Sequence, residues 1–474
     1  MINQIKTRFL ALIILTGLLA GAAAAQKKKY RRPVVETPPV FRGSETVAPD
    51  SASIGDFRWF EVFKDEKLQA LIRQAVLRNY DLRQAAARIN IERANLGLTR
   101  SNQFPQLGVG VDSVTSRAAQ NGIATVPGQT NRTRTIGGVL LNLLSFEVDL
   151  WGRLRQQTRA ARAELQASVE DRNAAQTTVV SDVATNYFNL LELDSELEIA
   201  KRTLATRENS LQIIKIREQG GIATMLEVRQ GEELVYQASQ IIPVAERRIE
   251  QTENLISLLA ADNPGPIGRG RSLTEQEELP FVPEGLPSAL LERRPDIRAA
   301  EQRLIADHAL IRAAKAAYFP TISLTGLFGF QSNQLSSLFT GSGTTWSFAP
   351  QLVQPIFTAG RLKSNVRFEQ AEQELALAQY EQTIQTSFRE VSDALIERRK
   401  VEEIRQQQEQ LVTTLRDRSR LAYVRYEGGV DSLLNALDAD RELFDAELNL
   451  TQTRRNELLA LVQLYKALGG GWQQ

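Results

Sequence analysis

The sequence of 474 residues contains no cysteine and only one histidine, His308. Thiolate catalysis and zinc sites built from cysteine and histidine are therefore excluded, and a Ser-His-Asp triad would have to use His308. No cluster of acid and base residues takes their place, and a lone histidine in a helical pattern is typical of a structural role. We expect neither an enzyme nor a bound metal or cofactor.

Long hydrophobic runs are missing after the N-terminus. No later stretch reaches the roughly eighteen consecutive apolar residues of a transmembrane helix. The first residues have a positive segment, a short apolar core and small residues before a cleavage point, namely Lys6 and Arg8, Phe9–Leu19, and Ala23–Ala25. This pattern predicts a signal peptide over residues 1–25, with an uncleaved anchor as the alternative. The 57 basic and 56 acidic residues nearly cancel, so nothing indicates a nucleic-acid partner.

Proline is absent from Gly152 to Gly220, a stretch of 69 residues. A helix over this stretch would be about 100 Å long, because each residue adds about 1.5 Å. A returning helix is expected to about Ala261. Both helices have apolar residues at heptad spacing, which is coiled-coil patterning. These residues are Leu190, Leu197, Leu204 and Leu211, and then Val235, Ile242, Ile249 and Ile256.

Two glycine pairs, Gly220-Gly221 and Gly428-Gly429, interrupt the helical patterns and lie 208 residues apart. Glycine ends a helix in the left-handed conformation without a steric cost. Because each pair lies between two long helical patterns, each predicts a sharp tip at the far end of a helical hairpin. The second returning helix is expected over about Asp431 to Leu468.

These hairpins belong to a duplicated unit. Gly152 and Gly360 share the offset of 208 with the glycine pairs, whereas Phe104-Pro105 and Phe319-Pro320 lie 215 residues apart. Two offsets, each shared by separate landmarks, indicate an internal repeat. The expected organisation is a signal peptide at 1–25, an extended arm at 26–55, a first repeat at 56–262, a linker at 263–285, a second repeat at 286–468 and a tail at 469–474.

Each repeat is expected to begin with one helix, Lys67–Ser101 in the first and Leu286–Tyr318 in the second. Each helix ends at a Phe-Pro junction, Phe104-Pro105 or Phe319-Pro320, because proline disfavours the helical conformation in the residue before it. Two strands of alternating pattern follow each junction. Their apolar positions are Leu107, Val109 and Val111, a run over Thr135–Leu150, and then Ile322, Leu324, Phe328, Phe330, Trp346, Phe348 and Leu352.

Four strands leave two open edges, and strands cross a bilayer only as a closed barrel. Two copies would supply eight strands, which enclose little more than side chains, whereas three would supply twelve and a usable lumen. The expected fold class is mostly α with membrane β. Three copies of the duplicated unit of strand pair and long helical hairpin would form a membrane β-barrel of twelve strands, with the long helices arranged around the same axis.

The duplicated unit, the Phe-Pro junctions, the motif Leu-Leu-Glu-Arg-Arg-Pro-Asp296-Ile, the long helices and the Gly-Gly tips together resemble the TolC-like outer-membrane efflux factors of the OprM/NodT branch. The resemblance covers about residues 55–470. It implies a homotrimer, with an outer-membrane β-barrel continued by a periplasmic α-helical barrel, that serves as the exit duct of a tripartite pump. Many members of this branch are lipoproteins. Since this chain has no cysteine to acylate, its anchoring would rest on the barrel alone.

The resemblance also implies where the duct closes. In the family the helical barrel narrows just beside the second tip, and the candidates on this sequence are Tyr426, Leu434, Asp438 and Arg441. The last three share one helix face at spacings i, i+4 and i+7. Rings of Leu434 and Asp438 would narrow a pore and favour cations. The alternative for Asp438 and Arg441 is an ordinary surface pair.

The expected partners are two further copies of the chain, outer-membrane lipid, a periplasmic membrane-fusion adaptor and an inner-membrane pump of the RND type. The adaptor is expected to dock at the tips, at Gly220, Gly221, Gly428 and Gly429. The cargo would be small amphiphilic compounds and drugs. Two alternatives stay open: the outer-membrane channel of a type I protein secretion system, and a periplasmic coiled-coil scaffold.

Overall fold

The computed structural model describes residues 30–43, 53–117, 133–276, 285 and 287–473. The expected signal peptide, residues 118–132 between the first two strands, and residues 277–284 of the linker lie outside these ranges. The described chain divides into two compact units, each of which takes segments from both repeats. Unit 1 comprises the described parts of 1–33, 89–167 and 300–380, and unit 2 those of 34–88, 168–299 and 381–474.

Helices dominate the described residues. Their bounds are α1 Trp59–Val62, α2 Glu66–Arg78, α3 Tyr80–Ser101, α4 Arg153–Gln219, α5 Met225–Leu259, α6 Pro287–Arg293, α7 Pro295–Ala316, α8 Arg361–Glu427 and α9 Leu433–Ala467. The strands are β1 Leu107–Arg117, β2 Thr133–Glu147, β3 Thr321–Ser332 and β4 Thr344–Val353. Within these ranges, no helix is both long enough and apolar enough to cross a membrane.

The prediction of one continuous helix at the start of each repeat is wrong, because each of these helices is interrupted. In the first repeat, Asn79 leaves the helical conformation, and its side-chain oxygen accepts hydrogen bonds from the backbone N–H groups of Asp81 and Leu82, which caps α3. In the second repeat the break falls at Arg294, directly before Pro295, which begins α7. The two breaks are 215 residues apart, the same offset as the Phe-Pro junctions.

The four strands form one antiparallel sheet in unit 1, in the order β1-β2-β3-β4. Leu107 pairs with Leu143, and Thr321 pairs with Val353, so β1 and β3 start at the end of the sheet where β2 and β4 finish. The strand expected to reach Leu150 ends earlier, at Glu147, because the Asp149 carboxylate accepts from the backbone N–H groups that open α4.

Each unit has its own packing. In unit 1, alanines bring two helices close together, with Ala160 and Ala163 of α4 against Ala306 and Ala309 of α7. His308 lies beside this contact, 3.4 Å from Gln373 of α8. In unit 2 the long helices pair through larger residues, since Leu190 and Leu193 of α4 pack against Ile249 and Ile256 of α5, as the heptad pattern predicts.

Candidate functional site

The two hairpin tips have the same backbone geometry. After α4, Gly221 has a φ of 72° and its N–H donates to the carbonyl of Glu218 at 2.8 Å. After α8, Gly429 has a φ of 74° and its N–H donates to the carbonyl of Tyr426 at 3.0 Å. This left-handed residue is what ends each helix and reverses the chain, as the glycine pairs predicted.

The returning helices begin differently at the two tips. Thr224 caps α5 and exchanges hydrogen bonds with Glu227, which forms a capping box. At the second tip, the Asp431 carboxylate accepts from Arg425 at 3.0 Å and from Asn435 at 2.7 Å. The hydrogen bond from Arg425 and those from Asn435 and the Ser432 N–H hold the pKa of Asp431 below its usual range. The second tip is therefore closed by an ion pair.

A hydrophobic cluster joins the four helices directly behind the tips. It consists of Leu211 and Ile214 of α4, Val228 and Leu234 of α5, Tyr426 of α8, and Leu433, Ala436 and Leu437 of α9. Tyr426 is buried within this cluster, and the Arg217 guanidinium lies over its ring at 4.7 Å. Tyr426 thus packs between the helices and does not share the exposed face of the other three gate candidates.

The structure brings Leu434, Asp438 and Arg441 together on one exposed face of α9. The Leu434 side chain is 59% exposed. Arg441 donates a hydrogen bond to the Asp438 carboxylate, so the two form an ion pair one helical turn apart. This face is available for contact with another surface.

Arg418 of α8 is a further member of the charged group at this face. Its guanidinium pairs with Glu442 and lies 3.8 Å from the Asp438 carboxylate. Asp438 therefore faces two arginines, one on its own helix and one on the preceding helix. The sequence alone could not indicate Arg418, since it lies twenty residues from Asp438 across the turn and belongs to no motif.

The positions beside the first tip that correspond to the gate candidates carry no Asp–Arg pair. Leu226 is exposed there, and Glu233 accepts a hydrogen bond from Gln237 at 3.0 Å. The neighbouring Glu232 carboxylate pairs with Arg229 at 2.6 Å and with Lys215 of α4 at 3.3 Å. The two tips therefore share a backbone turn but present different side chains.

The two Phe-Pro junctions lie where helices give way to strands in unit 1. Phe104 follows α3, with the Arg100 guanidinium over its ring at 5.9 Å. Phe319 follows α7 and stacks on Trp151, whose indole N–H donates to the Pro320 carbonyl at 2.6 Å. The second junction is thus tied to the segment that leads into α4.

A buried carboxylate ties the linker to the helices of unit 2. Asp65 accepts from the Lys67 and Leu68 N–H groups of α2, from the Tyr187 hydroxyl of α4, and from the Arg271 N–H and the Gln276 amide of the linker. Nearby, Arg269 pairs with Asp194 of α4 and Glu253 of α5. We call residues 267–276, held by these contacts, the linker strap.

The architecture is that of an outer-membrane channel subunit, with a small antiparallel sheet and two long helical hairpins from a duplicated sequence. The chain belongs to the outer membrane efflux protein family, whose model matches residues 71–261 and 286–470. Its fold class and its function as an outer-membrane exit duct for efflux, as expected from the sequence, are confirmed.

Relatives and solved structures agree with this assignment. The toluene efflux pump outer membrane protein TtgF of Pseudomonas putida is 38% identical over 431 residues, which cover 90% of this chain and 88% of TtgF. Outer membrane protein OprJ of Pseudomonas aeruginosa is 34% identical over 99% of this chain and 97% of its own length. The open state of the Neisseria gonorrhoeae MtrE outer membrane channel superposes with a TM-score of 0.85 at 32% identity, covering 94% of this chain and 98% of MtrE.

Proposed function

We propose that three copies of this chain form the passive exit duct of a tripartite pump, with a periplasmic adaptor and an RND-type transporter as partners. The duct itself catalyses no reaction, and its cargo is small amphiphilic compounds. The name of TtgF, a toluene efflux pump protein, supports a small apolar cargo. The observation that carries the proposal is that, among the described residues of one copy, both edge strands of the sheet lack a pairing partner on their outer side.

The open edges follow from the strand order. β1 and β4 are the edge strands, with α3 leading into β1 and α8 following β4. Both helices are attached at the same end of the sheet, so they run antiparallel to each other. A sheet with unpaired edges closes when the edge strand of one copy pairs with the opposite edge strand of the next. Joining β4 of one copy to β1 of the next also brings α8 of the first beside α3 of the second.

These two helices present matching apolar stripes in unit 1. On α3 the stripe is Ile91, Ala94 and Leu98, and on α8 it is Phe368, Ala371 and Leu375. Both have the spacing i, i+3, i+7 of a coiled-coil seam. Ile91 is 63% and Leu98 71% exposed, and Phe368 and Leu375 are 59% and 54% exposed. Apolar residues this exposed at heptad spacing are expected to pack against a partner helix.

The charges beside the two stripes are complementary. Residues 87–101 of α3 include Arg88, Arg93 and Arg100 with one acidic residue, whereas residues 368–381 of α8 include four glutamates and no basic residue. Burial and the nearby carboxylates of Asp307 and Glu372 raise the pKa of Glu369, which indicates uncompensated negative charge on this edge. The basic edge of one copy therefore suits the acidic edge of another.

We expect Leu98→Asp to prevent trimer formation. The substitution would place a carboxylate within the seam, where its desolvation is not compensated, and the trimer fraction should fall about tenfold or more. Size-exclusion chromatography with light scattering in detergent measures this fraction. Asn90→Asp adds the same charge on α3 outside the stripe and should leave the trimer intact. Equal trimer fractions for the two variants would refute the seam.

We place the periplasmic gate at Leu434, Asp438 and Arg441, supported by the resemblance, by the exposed face that the three share, and by the second arginine, Arg418, that holds Asp438. Around a threefold axis, these side chains would form stacked apolar and charged rings. The four tip glycines are the proposed adaptor-docking sites, since they are the outermost turns of the hairpins.

Docking is tested without disturbing the turn itself. Gly220 and Gly428 lie outside the left-handed region, and a Cβ would lie no closer than 3.5 Å and 3.3 Å to any other group. A bulky side chain there alters the docking surface with little backbone strain. The double variant Gly220→Tyr, Gly428→Tyr is expressed in a strain from which the gene is deleted. We expect this strain to stay as susceptible to a panel of amphiphilic compounds as the deletion strain that expresses no protein.

The wild-type chain should restore resistance to that strain, and so should Asp445→Tyr, which places the same bulk on α9 several turns from the tip. All variants should reach the outer membrane in equal amounts, as measured by immunoblotting of membrane fractions. Full resistance with the double tyrosine variant would refute docking at the tips. Unchanged susceptibility on gene deletion would refute the pump function as a whole.

A further inference from the structure

A buried arginine joins three helices close to the candidate gate. Arg207 of α4 is 3% exposed. Its Nε donates to the Asp440 carboxylate of α9 at 2.7 Å, and its Nη1 donates to the Leu234 carbonyl of α5 at 2.9 Å. Its guanidinium also lies over the ring of Phe444, at 4.9 Å from the centroid. One side chain therefore holds the second hairpin against both helices of the first.

This contact differs from the many exposed ion pairs along the hairpins. The side chains of Arg207 and Asp440 are 2% and 10% exposed. Taking both charges out of water is costly, so the pair is stable only while each keeps its partner. The Arg207 Nη2 atom is also buried and has no hydrogen-bond partner among the described residues. If α9 moved away from α4, a buried guanidinium would lose its counter-ion, which penalises that movement strongly.

The pair is placed to act on the gate. Asp440 follows Asp438 by two residues and directly precedes Arg441, so it projects from a different side of α9 than the gate residues. The buried side of the helix is thus fixed by Arg207, while the exposed side carries the gate residues. Tyr423 of α8 lies near the same contact. Burial and then the nearby Asp440 charge raise the pKa of Tyr423 to about 12, which keeps its hydroxyl protonated.

We propose that Arg207 and Asp440 form a clasp within each protomer, which holds α9 against α4 and α5 and must part before the gate face can move. Arg207 is a positioning residue, since it acts on the gate through α9 and does not line the exposed face. The effect on conductance rests on the gate proposed above. The clasp itself does not, because it concerns how α9 is held against α4 and α5.

The test removes the charges of the clasp without leaving one of them buried alone. We expect the double variant Arg207→Gln, Asp440→Asn to assemble as trimers and to raise the open probability of channels in planar bilayers about tenfold. This is the shift in a two-state equilibrium that follows from losing one charged hydrogen bond. Arg207→Lys keeps the positive charge but loses the several N–H donors of the guanidinium, and should give an intermediate open probability.

Arg202→Gln is the matched control. Arg202 joins the same two helices through Glu447 at 2.6 Å, but its side chain is 55% exposed. Since exposed pairs contribute little, this variant should behave as wild type. A purely structural role for the clasp would instead lower the melting temperature without changing the open probability. Wild-type open probability in the double variant, while gate variants open the channel, would overturn the clasp.

A second measurement separates the clasp from the gate. Because the chain has no cysteine, spin labels can be attached at Tyr236→Cys on α5 and Asp445→Cys on α9, which are both exposed. The distribution of label distances should broaden when the clasp is removed. If the gate variants leave conductance unchanged but the distance distribution broadens in the clasp variant, the gate assignment is wrong and the clasp is retained. An unchanged distribution would overturn the clasp whatever the gate does.

Discussion

Replacing Asp438 and Arg441 together by alanine is expected to raise the single-channel conductance of the reconstituted trimer severalfold. Arg441 and Arg418 hold the Asp438 carboxylate on the exposed face of α9, and truncation removes the charged ring and its bulk together. Preference for cations should fall in the same variant, since three carboxylates leave the pore. Planar-bilayer recordings with asymmetric KCl give both quantities.

A matched pair lies beside the first tip. Arg229 and Glu232 on α5 form an i, i+3 ion pair of the same chemistry at 2.6 Å, and Lys215 of the preceding helix lies 3.3 Å from the Glu232 carboxylate, in the role of Arg418. Alanine at both positions should leave conductance and selectivity unchanged. Equal conductance of the wild type and the Asp438→Ala, Arg441→Ala variant would refute the gate assignment. A rise with both pairs would mean that the tips loosen without a specific gate.

The sequence predicted the parts of the fold that depend on local signals. The absence of proline and the heptad leucines predicted α4, the heptad of valine and isoleucines predicted α5, and left-handed glycine predicted both tips. The two breaks at Asn79 and Arg294 were missed, although Pro295 directly follows the second, because the repeating apolar pattern continues across them. A local capping bond at Asn79 outweighed helix continuity there.

Contacts between segments that are distant in the chain could not be predicted from the sequence alone. Arg207 and Asp440 lie 233 residues apart, and neither belongs to a motif. Glutamates, arginines and aspartates are so common on the long helices that no local pattern distinguishes the buried pair from the solvated ones. Tyr426 was grouped with the gate by its position beside the second tip, whereas packing places it in the cluster between the helices.

The second large effect is expected from Asp65→Asn. An amide of the same shape cannot accept from all five donors, so the Arg271 N–H and the Gln276 amide of the linker strap lose their acceptor. Leaving buried donors unpaired is expected to destabilise this region by about 3 kcal/mol. Hydrogen exchange at the amides of residues 267–276 should become faster, and the melting temperature of the trimer in detergent should fall.

Asp262→Asn is a suitable control, since Asp262 directly precedes the same linker but is exposed and accepts from Gln74 at 3.3 Å. It should leave exchange in the strap unchanged. Gly270→Ala should act like Asp65→Asn, because a Cβ there would lie 2.2 Å from the Asp65 carboxylate. Slow exchange of the Arg271 amide in Asp65→Asn would mean that the strap is held mainly by Arg269 with Asp194 and Glu253.

The same carboxylate gives the strap a predictable dependence on pH. Burial alone would raise the pKa of Asp65, but the hydrogen bonds from Arg271, Gln276, Leu68 and Tyr187 outweigh it and lower the pKa below its unfolded value. A carboxyl with a depressed pKa in the folded chain contributes stability that is present above the unfolded pKa and is lost as pH falls through the folded one. Exchange in the strap should therefore stay slow at neutral and mildly acidic pH and accelerate only below the ordinary range of an aspartate. In Asp65→Asn this acid transition should disappear, because no titrating group remains at that position.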